Sequence, residues 1–244
     1  MFGKQVNDTI LAKALETEEE ICGVIINGQP VFLPNESADR VNTFEIKELP
    51  EGAEAIFHSH PGGPFYPSVT DIRQQIATDL PWGVACFSGH YSDVFWFGAS
   101  APKQPLIGRG FRHYVSDCYS LIEDFYEQVH ATILPKFPRE WEWWNNGETL
   151  YNSGFAQAGF KQISMDDMKP GDAFLATIRS KTPNHAGVYL GNGLILHHTT
   201  GRHGWDPTRL STVEPAARWF NFLDKGLRYE KDDLDRTVGQ GIWP

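Results

Sequence analysis

Residues 58–71 of this chain read HSHPGGPFYPSVTD. Side chains alternate between the two faces of an extended segment, so His58 and His60 should point the same way. Ser68 precedes a segment of helical character, and Asp71 follows three residues later, on the same first helical turn. Two imidazoles and one carboxylate leave a tetrahedral zinc ion one position for water. The stretch therefore predicts a zinc site of the catalytic type.

Glu20 lies earlier in the chain, where the apolar run 21–26 begins. A carboxylate that reaches the same site can take the proton of an attacking water. Two alternatives remain open. His58 and His60 could simply satisfy local hydrogen bonds at a bend between a strand and a loop, or the complete set could persist in an inactive domain. The agreement of five residues favours a working metal site.

The order Glu-x-Cys-Gly, then His-x-His, seven residues, Ser, two residues and Asp resembles the JAMM (MPN+) metalloprotease motif. The resemblance implies that His58, His60 and Asp71 bind Zn²⁺ and that Glu20 is the general base. It also implies that Ser68 helps to hold the tetrahedral oxyanion. We therefore expect a zinc metallopeptidase domain of the MPN/JAMM type, a mixed sheet with flanking helices, over residues 1–98.

The amino-acid composition limits the kinds of partner and the compartment that we expect for this chain. The formal net charge is −10 at pH 7, which argues against nucleic-acid binding because such surfaces need clustered Lys and Arg. We expect no membrane span and no secretory signal, since no apolar run has the required length. Three cysteines, an odd number, are typical of a reducing compartment rather than of a disulfide framework.

Strand and helix signals are mixed along the chain, which predicts an α+β protein of two domains. In the first part we expect a helix that Asn7 or Asp8 caps, a second helix over 70–79, and strands at 21–26, 31–33, 43–46, 55–58, 82–87 and 94–97. Residues 99–107 are small and Pro-rich at their start, which indicates an interdomain linker. A surface loop inside one domain is the alternative.

Residues 116–126 read SDCYSLIEDFY, with apolar residues spaced to form one helical face. Either Ser116 or Asp117 suits the N-cap, which places Cys118 in the first turn. The helix dipole and the free N–H groups there favour a thiolate. The alternative is that Cys118 is a small buried apolar side chain. The position predicts a nucleophile.

Two histidines downstream suit the base and the orienting partner that a thiolate needs. His185 opens one strand signal and His197 closes the next, with a Gly-Asn-Gly turn at 191–193 between them. Both can therefore lie side by side on adjacent strands. His198 should face the other way. A Cys-His-His set of this kind is typical of cysteine proteases.

These features resemble the NlpC-type papain-like cysteine peptidases: Asp-Cys before an amphipathic helix, His-x-Gly-Val-Tyr-Leu-Gly, a second His twelve residues after the first, and a Pro-Gly-Asp turn at 170–172. The resemblance implies a Cys-bearing helix on a small antiparallel sheet over 108–230, followed by a tail at 231–244. It implies cleavage of peptidoglycan stem peptides, commonly at D-γ-glutamyl-meso-diaminopimelate bonds. Phe111 stands where the family often has an oxyanion tyrosine, which leaves Tyr114 as a candidate substitute.

The pairing of the two domains resembles the tail-tip assembly proteins of lambda-like bacteriophages over essentially the whole chain. It implies tail-tip proteins as partners and the host cytoplasm as the location during assembly, with the virion tail tip as an open alternative. We expect a peptidase with two sites, catalytic at Glu20, Ser68, Cys118, His185 and His197. A tail-tip assembly scaffold or chaperone, whose peptidase folds serve in binding, is the main alternative. A host cell-wall hydrolase is a third.

Overall fold

The computed structural model describes residues 1–201 and 203–230. The chain divides into two compact units, Met1–Lys103 and a second that begins at Gln104, so the division falls inside the proposed linker 99–107. Both units combine helices with sheets, which confirms the α+β class. The predicted tail 231–244 lies outside the described residues. No helix within the described ranges is both long enough and apolar enough to cross a membrane.

The first unit is a five-stranded sheet with two helices. Its elements are α1 (Lys4–Ala14), β1 (Cys22–Ile26), β2 (Gln29–Leu33), β3 (Ala55–Pro61), α2 (Val69–Thr78), β4 (Trp82–Ser88) and β5 (Tyr91–Phe97). The strand order is β2-β1-β3-β4-β5, in which β3 and β4 run parallel and the other pairs antiparallel. A parallel pair needs a crossover, and α2 supplies it, so its first turn follows the end of β3 closely.

The core of the first unit joins α1 to the sheet. Ile10 and Ala14 of the helix are fully buried in one cluster with Ile25 of β1, Phe57 of β3 and Ala85 of β4. Burial of a large apolar side chain stabilises a fold by about 1.5–3 kcal/mol. The three central strands are therefore held in fixed register, and β3, which carries His58 and His60, lies in the middle of the sheet.

Two predictions for the first unit are wrong. Helix α1 begins three residues before Asn7, with Gly3 as N-cap, and the Asn7 side chain accepts a hydrogen bond from the Trp96 indole at 3.0 Å instead of capping. Within the described residues, 43–46 form no strand. The Asn35 side chain takes the main-chain hydrogen bonds of this segment instead: its amide donates to the Thr43 carbonyl, and its oxygen accepts from the Glu45 N–H.

The second unit is built around a six-stranded sheet. Its elements are β6 (Gly110–Arg112), α3 (Cys118–His130), α4 (Leu150–Gln157), β7 (Phe160–Ile163), β8 (Ala173–Ala176), β9 (His185–Gly191), β10 (Leu194–His197), β11 (Trp205–Leu210), β12 (Thr212–Pro215) and β13 (Leu223–Tyr229). The sheet order is β12-β10-β9-β8-β13-β7, antiparallel throughout, and β6 pairs with β11. Helix α3 packs against β9.

The sheet of the second unit is larger than the small antiparallel sheet that the sequence predicts. The central strands β8, β9 and β10 are the apolar runs, and their residues are mostly buried. The outer strands β7 and β12 are short and half exposed, so they lack the apolar signal that marks a strand. Strand β12 matters for function because it lies beside β10, which carries His197.

Candidate functional sites

The structure brings the three predicted metal ligands of the first unit together. The donor atoms of His58, His60 and Asp71 all lie within 4.8 Å of one another. Both imidazoles present Nε2, which lies 3.3 Å from Asp71 Oδ1 for His58 and 3.4 Å from Asp71 Oδ2 for His60. Two Nε2 atoms 3.0 Å apart, with a carboxylate between them, can hold one metal ion.

A hydrogen bond fixes which nitrogen of His60 faces this site, and packing holds the His58 ring. His60 Nδ1 lies 2.9 Å from the carbonyl oxygen of Pro64. A carbonyl only accepts, so Nδ1 carries the proton and Nε2 keeps its lone pair, as in metal-binding histidines with an outer-shell partner. His58 is fully buried and stacks on Phe44 at a ring separation of 4.6 Å. The donor set therefore suits a divalent cation that takes imidazole and carboxylate.

Glu20 lies beside this set. Its backbone N–H donates to the Arg40 carbonyl at 2.7 Å, and the next residue, Ile21, exchanges hydrogen bonds with Ser59 of β3. The side chain is buried, and burial raises the pKa of the Glu20 carboxyl to about 7. The charges of His60 and Asp71 also act on it. The structure thus places the predicted base next to the predicted ligands.

Ser68 and Asp71 contact each other at the start of α2, as their spacing predicts. Ser68 is the N-cap of α2: its Oγ accepts from the Asp71 N–H at 3.1 Å, and its own N–H donates to Asp71 Oδ2 at 2.7 Å. This reciprocal pair is a capping box. The hydroxyl proton is still available to donate, so the cap is compatible with the oxyanion role that the resemblance implies.

In the second unit, Asp117 sets the position of Cys118. Asp117 is the N-cap of α3 and accepts from the N–H groups of Tyr119 and Ser120. Both of its oxygens also accept from Arg139 Nη2, at 2.8 and 2.7 Å. This buried ion pair anchors the start of the helix. Cys118 is consequently the first residue of α3, as the sequence predicts.

Burial opposes the thiolate character that the sequence predicts for Cys118. The residue is only 3% exposed. Burial, helped by the Asp117 charge, raises the pKa of the thiol to about 11. The Tyr151 hydroxyl, on α4, lies 2.9 Å from the sulfur, and the main chain of Ala186 contacts the sulfur as well. Burial therefore outweighs the effect of the helix N-terminus.

The two predicted histidines lie side by side on β9 and β10. His185 Nε2 is 3.0 Å from His197 Nδ1, and His197 Nε2 is 2.6 Å from Glu214 Oε1. Within the described residues, His185 Nδ1 has no hydrogen-bond partner. His185 immediately precedes Ala186, which contacts the Cys118 sulfur. Nδ1 is therefore the ring nitrogen of His185 that makes no described hydrogen bond, on the residue next to the main-chain contact of the sulfur.

His198 takes no part in this arrangement. Its Nε2 lies 2.8 Å from the carbonyl oxygen of Arg209, on the other side of the strand, as alternation along β10 predicts. The tryptophans of 141–144 are packing residues: Trp143 is fully buried, with its ring 5.0 Å from that of Tyr151.

Sequence reasoning missed two polar groups of the second site, Tyr151 and Glu214. Tyr151 contacts the sulfur directly, whereas the ring of the candidate Tyr114 lies 4.9 Å from the Arg139 guanidinium. Both missed residues lie on elements with weak sequence signals, α4 and β12, far from Cys118 along the chain. A carboxylate or hydroxyl in an unpatterned segment carries no motif, so only the fold brings these groups to the site.

Comparison with known proteins agrees with the second site. The family model described as the NlpC/P60 family matches residues 93–222. Among curated proteins, the chain is 40% identical to the tail tip assembly protein K of Escherichia phage lambda over 144 residues, 59% of this chain and 68% of that protein. It is 29% identical to the tail tip assembly protein K of Escherichia phage N15 over 209 residues, 80% of this chain and 84% of that protein.

Solved structures of the same family are also similar. One is the NlpC/P60 domain of the peptidoglycan hydrolase SagA, with 21% identity, 50% of this chain and 89% of that chain covered, and a TM-score of 0.32. Another is an NlpC/P60 family protein from Bacillus cereus, with 12% identity, 91% and 66% covered, and a TM-score of 0.34. TM-scores below 0.5 add nothing to the family match. With more than half of its length matched by the family model, the chain belongs to the NlpC/P60 family.

Proposed function

We propose that this chain is a phage tail-tip assembly protein with two peptidase sites, a cysteine endopeptidase site in the second unit and a zinc-dependent peptidase site in the first. The observation that carries the proposal is the hydrogen-bonded pair of His185 and His197, together with Cys118 at the start of α3, whose sulfur contacts the main chain of the residue after His185. The names of the phage relatives support the assembly role. Membership of the NlpC/P60 family supports peptide-bond hydrolysis.

The cysteine site would act through a proton transfer inside the protein. The Cys118 thiol gives its proton to His185 Nδ1, and the sulfur attacks the carbonyl carbon of the scissile amide. The C–N bond then breaks, and His185 returns the proton to the leaving amine. Water, deprotonated by the same imidazole, hydrolyses the thioester and releases Cys118. Tyr151, in contact with the sulfur, is suited to donate a hydrogen bond to the oxyanion at this carbon.

We propose peptidoglycan stem peptides as the substrate of the cysteine site and tail-tip proteins as binding partners. Membership of the NlpC/P60 family supports this substrate, because the resemblance to that family implies cleavage of stem peptides. Synthesis in the host cytoplasm is consistent with an assembly role. Presence at the virion tail tip is the second location that we propose to test.

In the first unit we propose that His58, His60 and Asp71 hold zinc. Zinc bound by such a set supplies Lewis-acid activation of water and of a peptide carbonyl. Glu20 would accept the proton of the attacking water and pass it to the leaving amine. Ser68 would donate its hydroxyl proton to the oxyanion. These roles, and an MPN/JAMM-type fold for the unit, are supported by the geometry of the five side chains.

One observation favours the alternative of an assembly scaffold that does not cleave. The Cys118 sulfur is almost completely covered in the chain by itself, so a substrate cannot reach it without a rearrangement. If no such rearrangement occurs, the peptidase fold serves only in binding.

Mass spectrometry separates the two possibilities. Purified peptidoglycan and isolated tail proteins are each incubated with the full chain and with Cys118→Ser, and the released fragments are identified. We expect soluble cell-wall fragments with a newly free amino group from the wild-type chain alone. If neither protein releases fragments, and Cys118→Ser still supports assembly of infectious tails, the scaffold function is correct.

A further inference from the structure

A carboxylate continues the hydrogen-bond chain of the cysteine site beyond the two histidines. Glu214 lies on the edge strand β12, where it pairs with Ile195 of β10. The same face of β10 carries His197 two residues later, so the Glu214 side chain reaches diagonally to His197 Nε2 at 2.6 Å. The His197 side chain is fully buried, whereas that of Glu214 is 19% exposed.

This contact determines where the protons of both imidazoles lie. A carboxylate only accepts hydrogen bonds, so His197 Nε2 must carry a proton. In neutral His197 the other nitrogen, Nδ1, then has the lone pair, and it accepts from His185 Nε2 at 3.0 Å. His185 Nδ1 is left without a proton. Glu214, at the far end of this chain of contacts, therefore determines that His185 Nδ1 is the nitrogen that can take the thiol proton.

We propose that Glu214 is a positioning residue of the cysteine site, which fixes the tautomers of His197 and His185 so that His185 Nδ1 is the base for Cys118. The inference rests on the proposed cysteine peptidase function and extends it. When the thiol proton moves to His185, the two imidazoles together carry one positive charge. The negative charge of Glu214, which contacts His197, stabilises that positive charge.

Neighbouring groups keep this contact in place. Arg218 Nη1 lies 3.2 Å from Glu214 Oε2, which leaves Oε1 for His197. The Trp219 ring packs edge-on against His197 at 4.5 Å and limits rotation of the imidazole. Besides its own members, the titratable and charged groups that act on this chain of contacts are His198, the residue after β10, and Arg218, in the 216–219 turn.

The test is the pH dependence of Cys118 alkylation in the full chain. Iodoacetamide labelling is followed by mass spectrometry of the Cys118 peptide, so that the other two thiols do not contribute. The wild-type chain is compared with Glu214→Ala, which removes the acceptor, and with Glu214→Gln, which keeps an acceptor oxygen but removes the charge. Glu230→Gln is the matched control, since Glu230 is exposed and pairs with Lys161.

We expect Glu214→Ala to lower the labelling rate at pH 7 by about 10- to 100-fold, by analogy with metal-bound histidines that lose the partner of their second nitrogen. Its pH profile should move to higher pH, because the imidazole no longer stabilises the thiolate. Glu214→Gln should give an intermediate loss, and Glu230→Gln should match the wild type. Circular dichroism checks that each variant is folded.

Peptidoglycan cleavage by the same proteins separates this inference from the proposed function. Suppose that the pH profile of alkylation shifts in Glu214→Ala but the wild type does not cleave peptidoglycan. The role of Glu214 is then supported, and the proposed substrate is overturned. Cleavage by the wild type with superimposable profiles for wild type, Glu214→Ala and Glu214→Gln overturns the role of Glu214. A purely structural role predicts melting at lower temperature with an unshifted profile, which also overturns it.

Discussion

The two candidate sites differ in how far apart along the chain their residues lie. In the first site, His58, His60, Ser68 and Asp71 come from one short stretch, where β3 ends and α2 begins, and Glu20 alone lies elsewhere in the chain. The second site draws on α3, α4, β9, β10 and β12. A local site depends on one strand-to-helix connection, whereas a dispersed site depends on the strand order of a whole sheet.

The two sites also differ in how the protein manages charge. In the first unit, two imidazoles and two carboxylates are gathered around a position that a cation can occupy. In the second unit the proposed nucleophile is buried, which raises the pKa of its thiol, and the preceding carboxylate, Asp117, pairs with Arg139. The first site gathers donor groups that suit a positive ion. The second joins the imidazoles of His185 and His197 to Glu214 in a chain of hydrogen bonds.

The largest expected effect is the loss of the nucleophile. We expect Cys118→Ser to lower cell-wall cleavage by at least about 1000-fold, because only binding and oxyanion stabilisation remain. Zinc content, measured by elemental analysis of the purified chain, should not change, since all proposed ligands lie in the first unit. A fall in zinc content would show that the two sites depend on each other.

The next effect concerns the metal. His58→Ala should reduce zinc affinity by roughly 100- to 1000-fold, about 3–4 kcal/mol for one ligand of a set worth 10–16 kcal/mol. His90→Ala is the matched control because His90 is an exposed histidine of the same unit. Competition with a chelator dye measures the affinity. Glu20→Gln should keep the metal but lose turnover of a peptide substrate by about 100-fold or more.

Cell-wall cleavage by His58→Ala should stay near the wild-type rate. The second site takes all its described polar contacts from residues after Gln104. If His58→Ala abolishes cell-wall cleavage while remaining folded, the two sites are not independent.

The difference between the sites also explains what sequence could predict. The metal ligands are separated by fixed short spacings, and alternation in a strand plus one helical turn is enough to bring them together. His185 and His197 could be paired because a Gly-Asn-Gly turn joins their strands. Glu214 and Tyr151 could not be found, since their contacts follow from the edge position of β12 and from the packing of α4. The failed strand at 43–46 has a related origin: strand propensity gives no information about a side chain such as Asn35 that takes the main-chain hydrogen bonds of the segment.

The third effect is on stability, and it tests the anchor of the dispersed site. Asp117→Asn leaves the Arg139 charge buried without its partner, so we expect a loss of about 3 kcal/mol, which lowers Tm by roughly 10 °C. Asp166→Asn, an exposed change of the same kind, should have no measurable effect. Thermal melts followed by circular dichroism at pH 7 measure both.

The pH dependence of this anchor has a definite sign. Burial raises the pKa of the Asp117 carboxyl, but Arg139 and His113 outweigh it and hold the pKa below its usual range. A carboxyl with a lowered pKa in the folded state stabilises above its unfolded pKa, about 3.9, and the contribution disappears as pH falls through the folded value. The difference in Tm between wild type and Asp117→Asn should therefore be full at pH 7 and shrink below about pH 4. A constant difference down to pH 2 would contradict the ion-pair explanation.

The smallest expected effect concerns the Tyr151 hydroxyl, which contacts the Cys118 sulfur and which the sequence did not indicate. Tyr151→Phe removes the hydroxyl 2.9 Å from Cys118 Sγ and keeps the ring that packs against Trp143. A hydrogen bond to a charged group contributes about 1.5 kcal/mol or more, so kcat for cell-wall cleavage should fall about tenfold with KM nearly unchanged. Tyr119→Phe is the matched control: the Tyr119 hydroxyl donates to the Pro135 carbonyl at 3.0 Å and not to the sulfur. Equal losses for the two variants would mean that the hydroxyls act only through the packing of α3 and α4. The second site would then consist of Cys118 and its histidines, without a hydrogen-bond donor from α4.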